Sequence, residues 1–304
     1  MNAVWFMGAG VALAALGGDL FVRGIVNLAA WWRIPAGIIG VTIAAFATSA
    51  PELSVAVNAA SAGQPAIALG DALGSNVVNL GLVLGIALLF GTIHMPLHVR
   101  RQEMPMALAA PLLLGLLLTD GALGRADGWI LIAVFVGWLA RTVLVARRMR
   151  DDTVAVLRER SRTVILVSVS SGLLLLVAAG RLIVSGAADL TTLLGWDAFV
   201  IGVVIVAVGT STPEIATALV SRLRHHDEVA VSTVLGSNIF NTLLIVGVAS
   251  VITPIQVAPA EAWIGIGASI GVVALLVTGR SGQLHRWRSI PLFAVFLSLV
   301  LLVT

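Results

Sequence analysis

Ten stretches of mostly apolar residues, each about 17 residues or longer, are joined by short polar links and make up nearly all of this 304-residue chain. They fall at about 3–31, 36–61, 67–91, 104–120, 127–147, 163–194, 197–222, 228–253, 260–279 and 288–304. An apolar run of that length matches the hydrocarbon thickness of a bilayer when it is helical. The composition points the same way. Only 11% of residues are charged and the mean hydropathy is +1.06, whereas a soluble domain carries about 25% charged residues. So few charges cannot cover an aqueous surface. The expected fold class is an all-α polytopic membrane protein with ten transmembrane helices. The N-terminus lacks the basic n-region of a secretory signal, so Val4 onward reads as a retained helix.

Several function classes drop out. The chain has no cysteine, which excludes disulfides and thiolate metal sites. All 18 basic residues are arginine, so the lysine of a phosphate-gripping loop is absent and the chain encodes no ATP-driven step. The arginines are scattered between apolar runs, and no basic patch interleaves with aromatics, so nucleic acid is not an expected partner. The nucleophile–base pairing of an intramembrane enzyme is also missing. The chain is read as a non-enzyme with no cofactor, the lipid bilayer is an expected partner, and a functional monomer is expected.

Arginine bias between alternate links sets the expected orientation. One set carries Arg33, Arg100 and Arg101, the cluster from Arg147 to Arg162, Arg222 and Arg224, and Arg280, Arg286 and Arg288, while the opposite set carries Arg125 alone. The first set is expected in the cytoplasm, with both termini outside. Trp5, Trp31, Trp32, Trp129, Trp196, Trp263 and Trp287 fall near predicted helix ends, where interfacial tryptophan belongs, and only Trp138 sits mid-span.

The chain also repeats itself. Ala-Thr-Ser-Ala-Pro-Glu at 47–52 returns as Gly-Thr-Ser-Thr-Pro-Glu at 209–214, and Gly-Ser-Asn-Val-Val-Asn at 74–79 returns as Gly-Ser-Asn-Ile-Phe-Asn at 236–241. Both returns have the same offset of 162 positions, with no gap between the motifs. The expected organisation is a first five-helix repeat over 1–147 (core about 40–85), a cytoplasmic loop over 148–162, and a second five-helix repeat over 163–304 (core about 202–247). Five crossings is an odd number, so the second copy is expected to enter the membrane in the opposite sense. Inverted repeats of this kind place a transporter's substrate site at their interface.

The chemistry sits in the repeated motifs. Ala45, Thr48, Ser49 and Glu52 share one helix face. Pro51 and Pro213 are expected to free the carbonyls of Ala47 and Gly209, and such loose backbone is tolerated in hydrocarbon only where it lines a cavity or is buried in protein. Ser75 with Asn79, and Ser237 with Asn241, each present a hydroxyl and an amide on one face of the next helix. Glu52 and Glu214 are the acidic groups deepest in predicted spans, and intramembrane charge points to function. Together they offer up to four carboxylate oxygens toward the six to eight that calcium takes. With no cysteine or histidine in the motifs, a soft-metal site is not expected. Either motif alone is equally consistent with helix packing; their duplication, with a glutamate in each copy, reads as a site. Asp19 (expected to pair with Arg23), Asp71 (expected near the outer end of its helix) and Asp189 are read as structural or entrance residues. Asn58 is read as packing, and His94, His98, His225, His226 and His285 as solvated in cytoplasmic loops.

On these motifs the chain resembles the calcium/cation antiporter superfamily, whose two alpha-repeats they match, and is most similar to its prokaryotic sodium/calcium exchanger branch. The match covers the second, third, seventh and eighth predicted helices. The resemblance implies exchange of Na+ for Ca2+ across a prokaryotic inner or plasma membrane by alternating access, with helices 1 and 6 sliding past the rest. It implies a Ca2+ site of Glu52 and Glu214 with the backbone carbonyls of Thr48 and Thr210. It also implies flanking Na+ sites drawn from Ala45, Thr48, Ser49, Ser75, Ala207, Thr210, Ser211 and Ser237, with Asn79 and Asn241 at the centre. Two departures stand out. Ala47 replaces a glycine usual in the first copy, and Asn241 stands where some members carry Asp, leaving two carboxylates at the centre and arguing against a potassium-dependent subtype. The proton/calcium branch typically has Gly-Asn near its glutamate, so H+/Ca2+ antiport ranks second. A passive cation channel using the same oxygen-lined site is the alternative of a different class.

Overall fold

In hydrocarbon a backbone must satisfy its own hydrogen bonds, which leaves helices as the spanning element for apolar runs of this length. The computed structural model describes residues 2–32, 36–148, 161–191, 202–279 and 281–303. In the first half, α1 (Asn2–Trp32) precedes α2 (Ala36–Ile39), a π-helical turn (Gly40–Ala44), α3 (Ala45–Thr48) and α4 (Ala50–Ser61). Then come α5 (Pro65–Val77), a π-helical stretch (Val78–Val83), α6 (Leu84–Leu89), β1 (Ile93–His94), a π-helical turn (Val99–Glu103), α7 (Met104–Leu117), β2 (Ala122–Leu123) and α8 (Arg125–Arg148). The second half opens with α9 (Arg162–Thr191), followed by a π-helical turn (Gly202–Val206), α10 (Ala207–Thr210), α11 (Thr212–Leu223) and α12 (Asp227–Ile239). A π-helical stretch (Phe240–Ile245), α13 (Val246–Ile252), β3 (Ile255–Gln256), α14 (Pro259–Ala274), β4 (Gln283–Leu284) and α15 (Ser289–Val303) complete it.

Among the described residues, five helical stretches are long and apolar enough to cross a membrane: Pro65–Leu89, Arg125–Val145, Arg162–Ala179, Asp227–Ile252 and Arg286–Val303. The pair Gly40–Thr48 and Ala50–Ser61, bent by 50°, makes a sixth if counted as one span. The chain is a multi-pass membrane protein. Arg33, Trp196, the side chains of Trp5 and Asp189, and most of the expected loop over 148–162 lie outside the described residues.

The repeat governs local structure residue by residue. The π-turn, short helix, break and new helix of 40–61 recur at 202–223, and the α–π boundary at Val77/Val78 recurs at Ile239/Phe240. The halves also touch reciprocally. A Cβ on Gly74 would lie 2.5 Å from the Val203 carbonyl oxygen, and one on Gly236 would lie 2.7 Å from that of Val41. The same applies to the strands: β1 pairs antiparallel with β4, and β2 with β3, so each pair joins one half to the other.

Burial separates an inner from an outer layer. The α5–α6 and α12–α13 stretches are 83% and 78% buried, against 28%, 22% and 17% for the spans in α8, α9 and α15. The outer helices expose Leu112, Leu116, Leu144, Leu166, Leu174, Leu297 and Leu301, an apolar exterior suited to lipid. Trp31, Trp32, Trp129, Trp263 and Trp287 are exposed, while Trp138 is buried against Phe135 and Phe240. The core divides into two clusters. The larger is centred on α5–α6 and α12–α13; the smaller joins Phe21, Ile25 and Leu28 of α1 to Ile165, Leu176 and Ala179 of α9. Those two helices cross where Gly17 meets Gly172.

The glycine contacts yield a stability prediction. Gly74→Ala and Gly236→Ala each overpack the crossing between halves and cost about 1–3 kcal/mol, lowering the thermal unfolding temperature of the purified protein in detergent. Gly137→Ala, inside α8 where a Cβ meets nothing within 4 Å, is the control and leaves it unchanged or raises it. Equal stability of all three variants would contradict close packing of the halves.

Candidate cation-binding site

The site is built on two broken helices. Proline lacks an N–H and its ring collides with the preceding turn, so it is tolerated best in a helix's first turn. Accordingly α3 ends at Thr48 and α4 begins at Ala50, with Pro51 in its first turn; Ser49 between them has φ −83° and ψ 9°. Ser211 repeats this with φ −73° and ψ 5° ahead of Pro213. Hydrogen bonds bridge each break: Ser49 N–H donates to the Ala45 carbonyl at 3.0 Å and Leu53 N–H to that of Ser49 at 3.1 Å. The corresponding bonds from Ser211 to Ala207 and from Ile215 to Ser211 measure 3.0 and 2.9 Å. The prolines thus restart a helix rather than merely kink one. Each restart puts a glutamate, Glu52 or Glu214, in a first turn, at the positive end of the helix dipole.

Side chains from both halves meet between these breaks. Glu52, Glu214, Thr48, Ser49, Thr210, Ser211, Ser75, Ser237, Asn79 and Asn241 are all buried, as are Ala45 and Ala207. Glu214 Oε1 accepts from Ser237 Oγ at 3.0 Å and from Ser49 Oγ, in the other half, at 3.2 Å. Thr48 Oγ1 lies 3.4 Å from Ser237 Oγ, and its counterpart Thr210 Oγ1 lies 3.4 Å from Ser75 Oγ. Both Glu52 oxygens, Glu214 Oε2, Ser211 Oγ, Asn79 Oδ1 and both amide atoms of Asn241 are buried without a hydrogen-bond partner. These are oxygen-rich surroundings with unused acceptor capacity.

Asp71 belongs to the same cluster, contrary to its reading as an outer structural or entrance residue. Its side chain is fully buried; Oδ1 accepts from Thr210 Oγ1 at 3.0 Å and from Ser75 Oγ at 3.4 Å, and Oδ2 has no partner. Although Asp71 sits only two turns into α5, the other half encloses that helix at this depth. The cluster therefore holds three carboxylates rather than two. A periodic signal was available, since Asp71, Ser75 and Asn79 follow one another at four-residue steps. A second tier was also unassigned from sequence. Asn79 Nδ2 donates to Asn238 Oδ1 at 3.1 Å, Asn238 Nδ2 to the Asn76 carbonyl at 3.0 Å, and Asn76 Nδ2 to Thr242 Oγ1 at 2.7 Å. This lattice ties α5 to α12 beneath the cluster.

Two other residues differ from expectation. His98 is not solvated: its ring packs 3.9 Å from the buried carboxylate of Glu103, and burial lowers its pKa. Asn58 is exposed on α4 rather than packed inside. Asp19 does pair with Arg23, at 2.7 Å, and also with Arg224 at the end of α11.

Among the described residues, no arginine or histidine pairs with Glu52, Asp71 or Glu214. Nor do three acidic or histidine side chains close on a single metal position; the carboxylates are spread through the cluster with hydroxyls between them. A buried charge without a partner costs several kcal/mol, so a cluster like this is stable with cations. Glu52→Gln accordingly raises the unfolding temperature of the purified protein at pH 8 in choline buffer without Na+ or Ca2+, by the equivalent of about 1 kcal/mol or more. An unchanged or lowered temperature would mean that Glu52 carries no uncompensated charge.

Apolar outside, with three carboxylates in a buried cluster shared by two related halves, the chain has the construction of a multi-pass membrane transport protein. It belongs to the sodium/calcium exchanger protein family, whose model matches residues 2–144 and 164–304. It is 34% identical over 298 residues to the putative antiporter CaxA of Alkalimonas amylolytica, covering 93% of this chain and 92% of that one. It is 32% identical over 259 residues to the inner membrane protein YrbG of Escherichia coli (strain K12), covering 82% and 80%. The solved structure of the sodium-calcium exchanger NCX_Mj superimposes with a TM-score of 0.84 at 25% identity, over 99% of this chain and 98% of that one.

Proposed function

We propose that the protein is a secondary active antiporter that exchanges Na+ for Ca2+ by alternating access, through one site divided between two inverted five-helix repeats. The observation that carries this reading is the sharing of Glu214 between halves: Ser237 of its own half and Ser49 of the other both donate to the same oxygen. Family membership supports the choice of ions. In this reading the repeats are residues 1–147 and 163–304, ten helices cross the membrane, the loop over 148–162 is cytoplasmic and both termini are outside. Reciprocal contacts at Gly74 and Gly236 support the two-fold relation.

Ca2+ sits between Glu52 and Glu214, completed by the backbone carbonyls of Thr48 and Thr210. Na+ ions occupy flanking positions lined by Ala45, Thr48, Ser49 and Ser237 on one side and by Ala207, Thr210, Ser211 and Ser75 on the other, with Asn79 and Asn241 at the centre. Exchange follows from competition: Glu52 and Glu214, once neutralised by one Ca2+, cannot also hold Na+, so Ca2+ and the Na+ ions that share those two carboxylates expel one another. With more than two Na+ per Ca2+ the cycle moves net charge, worth about 2.3 kcal/mol per charge per 100 mV. Access alternates when α1 and α9 move together against the rest, which their close glycine crossing supports.

Glu52→Gln and Glu214→Gln each abolish sodium-driven uptake of radiolabelled calcium into vesicles. Near-normal uptake by both would reject the site assignment. Protons compete for the same carboxylates, so uptake by the unmodified protein falls between pH 8 and pH 5, and a flat profile would count against direct ligation.

A further inference from the structure

The two sides of the cluster are chemically unequal. On one side Thr48, Ser237 and Thr233 offer three hydroxyls. At the related positions on the other side stand Thr210, Ser75 and Asp71, two hydroxyls and a carboxylate. We propose that Asp71, Ser75 and Thr210 form a charged subsite that retains one Na+ while Ca2+ occupies Glu52 and Glu214, an inference that rests on the antiport reading above.

Proton supply is the first argument. Asp71 Oδ1, Ser75 Oγ and Thr210 Oγ1 form a triangle with sides of 3.0, 3.4 and 3.4 Å. The Thr210 hydroxyl also lies 3.0 Å from the Val206 carbonyl and 3.3 Å from that of Ala207. Each hydroxyl has a single proton, so Thr210 cannot donate to Asp71 and to the Val206 carbonyl at once, while the Ala207 carbonyl already takes the Ser211 N–H. Asp71 Oδ2 takes no share, being fully buried and unpartnered. Oxygen lone pairs thus outnumber protons at a place where water does not reach. Two of the three sides match cation coordination: metal–oxygen distances of about 2.3–2.6 Å give octahedral edges of about 3.3–3.7 Å, and Na+ is close to Ca2+ in size.

Charge balance is the second argument. Glu52 and Glu214 neutralise one Ca2+, which leaves Asp71 with an unmatched charge and no basic partner among the described residues. One monovalent cation restores neutrality. On the opposite side Thr233 carries no charge, so no cation is demanded there in the calcium-loaded state.

The test is binding of radiolabelled Na+ to the purified full-length protein in detergent at pH 8 with saturating Ca2+, beside binding of radiolabelled calcium without Na+. The unmodified protein is expected to hold one Na+ together with Ca2+. Asp71→Asn is expected to weaken that Na+ binding by about tenfold or more, since ligand charge sets affinity, with calcium affinity changed less than about threefold. Asp71→Thr, which installs the residue of the other half, substitutes if the first variant is not monodisperse. Unchanged Na+ binding in a monodisperse variant overturns the inference, as does equal loss of both ions, which marks a structural role. If the unmodified protein shows no sodium-driven calcium uptake at all, it is the antiport reading that fails; intact uptake with unaltered Na+ binding in the variant rejects the Asp71 subsite alone.

Discussion

Burial of carboxylates without a basic partner is the constraint on which the rest of the structure depends. Glu52, Asp71 and Glu214 are all fully enclosed, and an isolated charge in such surroundings is among the most costly groups a protein can carry. The neighbouring architecture makes sense as compensation that stops short of neutralisation. Hydroxyls from Ser49, Ser75, Thr210 and Ser237 each bring one donor, and the two helix restarts bring the positive end of a dipole. None of these carries a full positive charge. A cluster held in that state answers to cations, and a permanent arginine partner would remove the need for them.

The duplication explains how a chain this apolar assembles such a cluster. One broken helix offers one carboxylate and a few hydroxyls, too little for a cation that takes six to eight oxygens. Two copies facing each other double the supply, and glycines at 74 and 236 let the backbones approach closely enough for hydroxyls of one half to reach carboxylates of the other. The asparagine lattice from Asn76 to Thr242 then locks α5 to α12, so the inner layer is stiff. The smaller apolar cluster sits elsewhere, joining α1 and α9 to Ile39, Ala44 and Ala47 of the first broken helix and to Ala216 and Val229 of the second half.

Much of this was legible from sequence because hydrophobic run length, proline position and exact duplication are local signals. The Pro-Glu and Gly-Ser-Asn motifs located Glu52, Glu214, Ser75, Ser237, Asn79 and Asn241, all of them buried, and the structure joins Glu214 and Ser237 to Ser49 and Thr48, and Ser75 to Thr210. Tertiary enclosure was not legible. Asp71 lies early in its helix, and position along a helix was taken as depth, whereas the opposite half covers that turn completely. His98 and Glu103 were hidden for a similar reason: both lie at the edge of an apolar run, and only packing shows that they face inward. The sequence pointed to carbonyls freed by Pro51 and Pro213 but not to the helix restarting at Ala50, because proline position alone does not distinguish a bent helix from two helices placed end to end.

The most direct test of the central claim, that this cluster couples opposing cation gradients, is calcium uptake by the unmodified protein in proteoliposomes with one driving force at a time. An outward Na+ gradient is expected to drive uptake of radiolabelled calcium, while a K+ gradient or a pH gradient of the same size is not. Uptake driven by the pH gradient alone, or uptake that proceeds with no opposing gradient, would contradict the account.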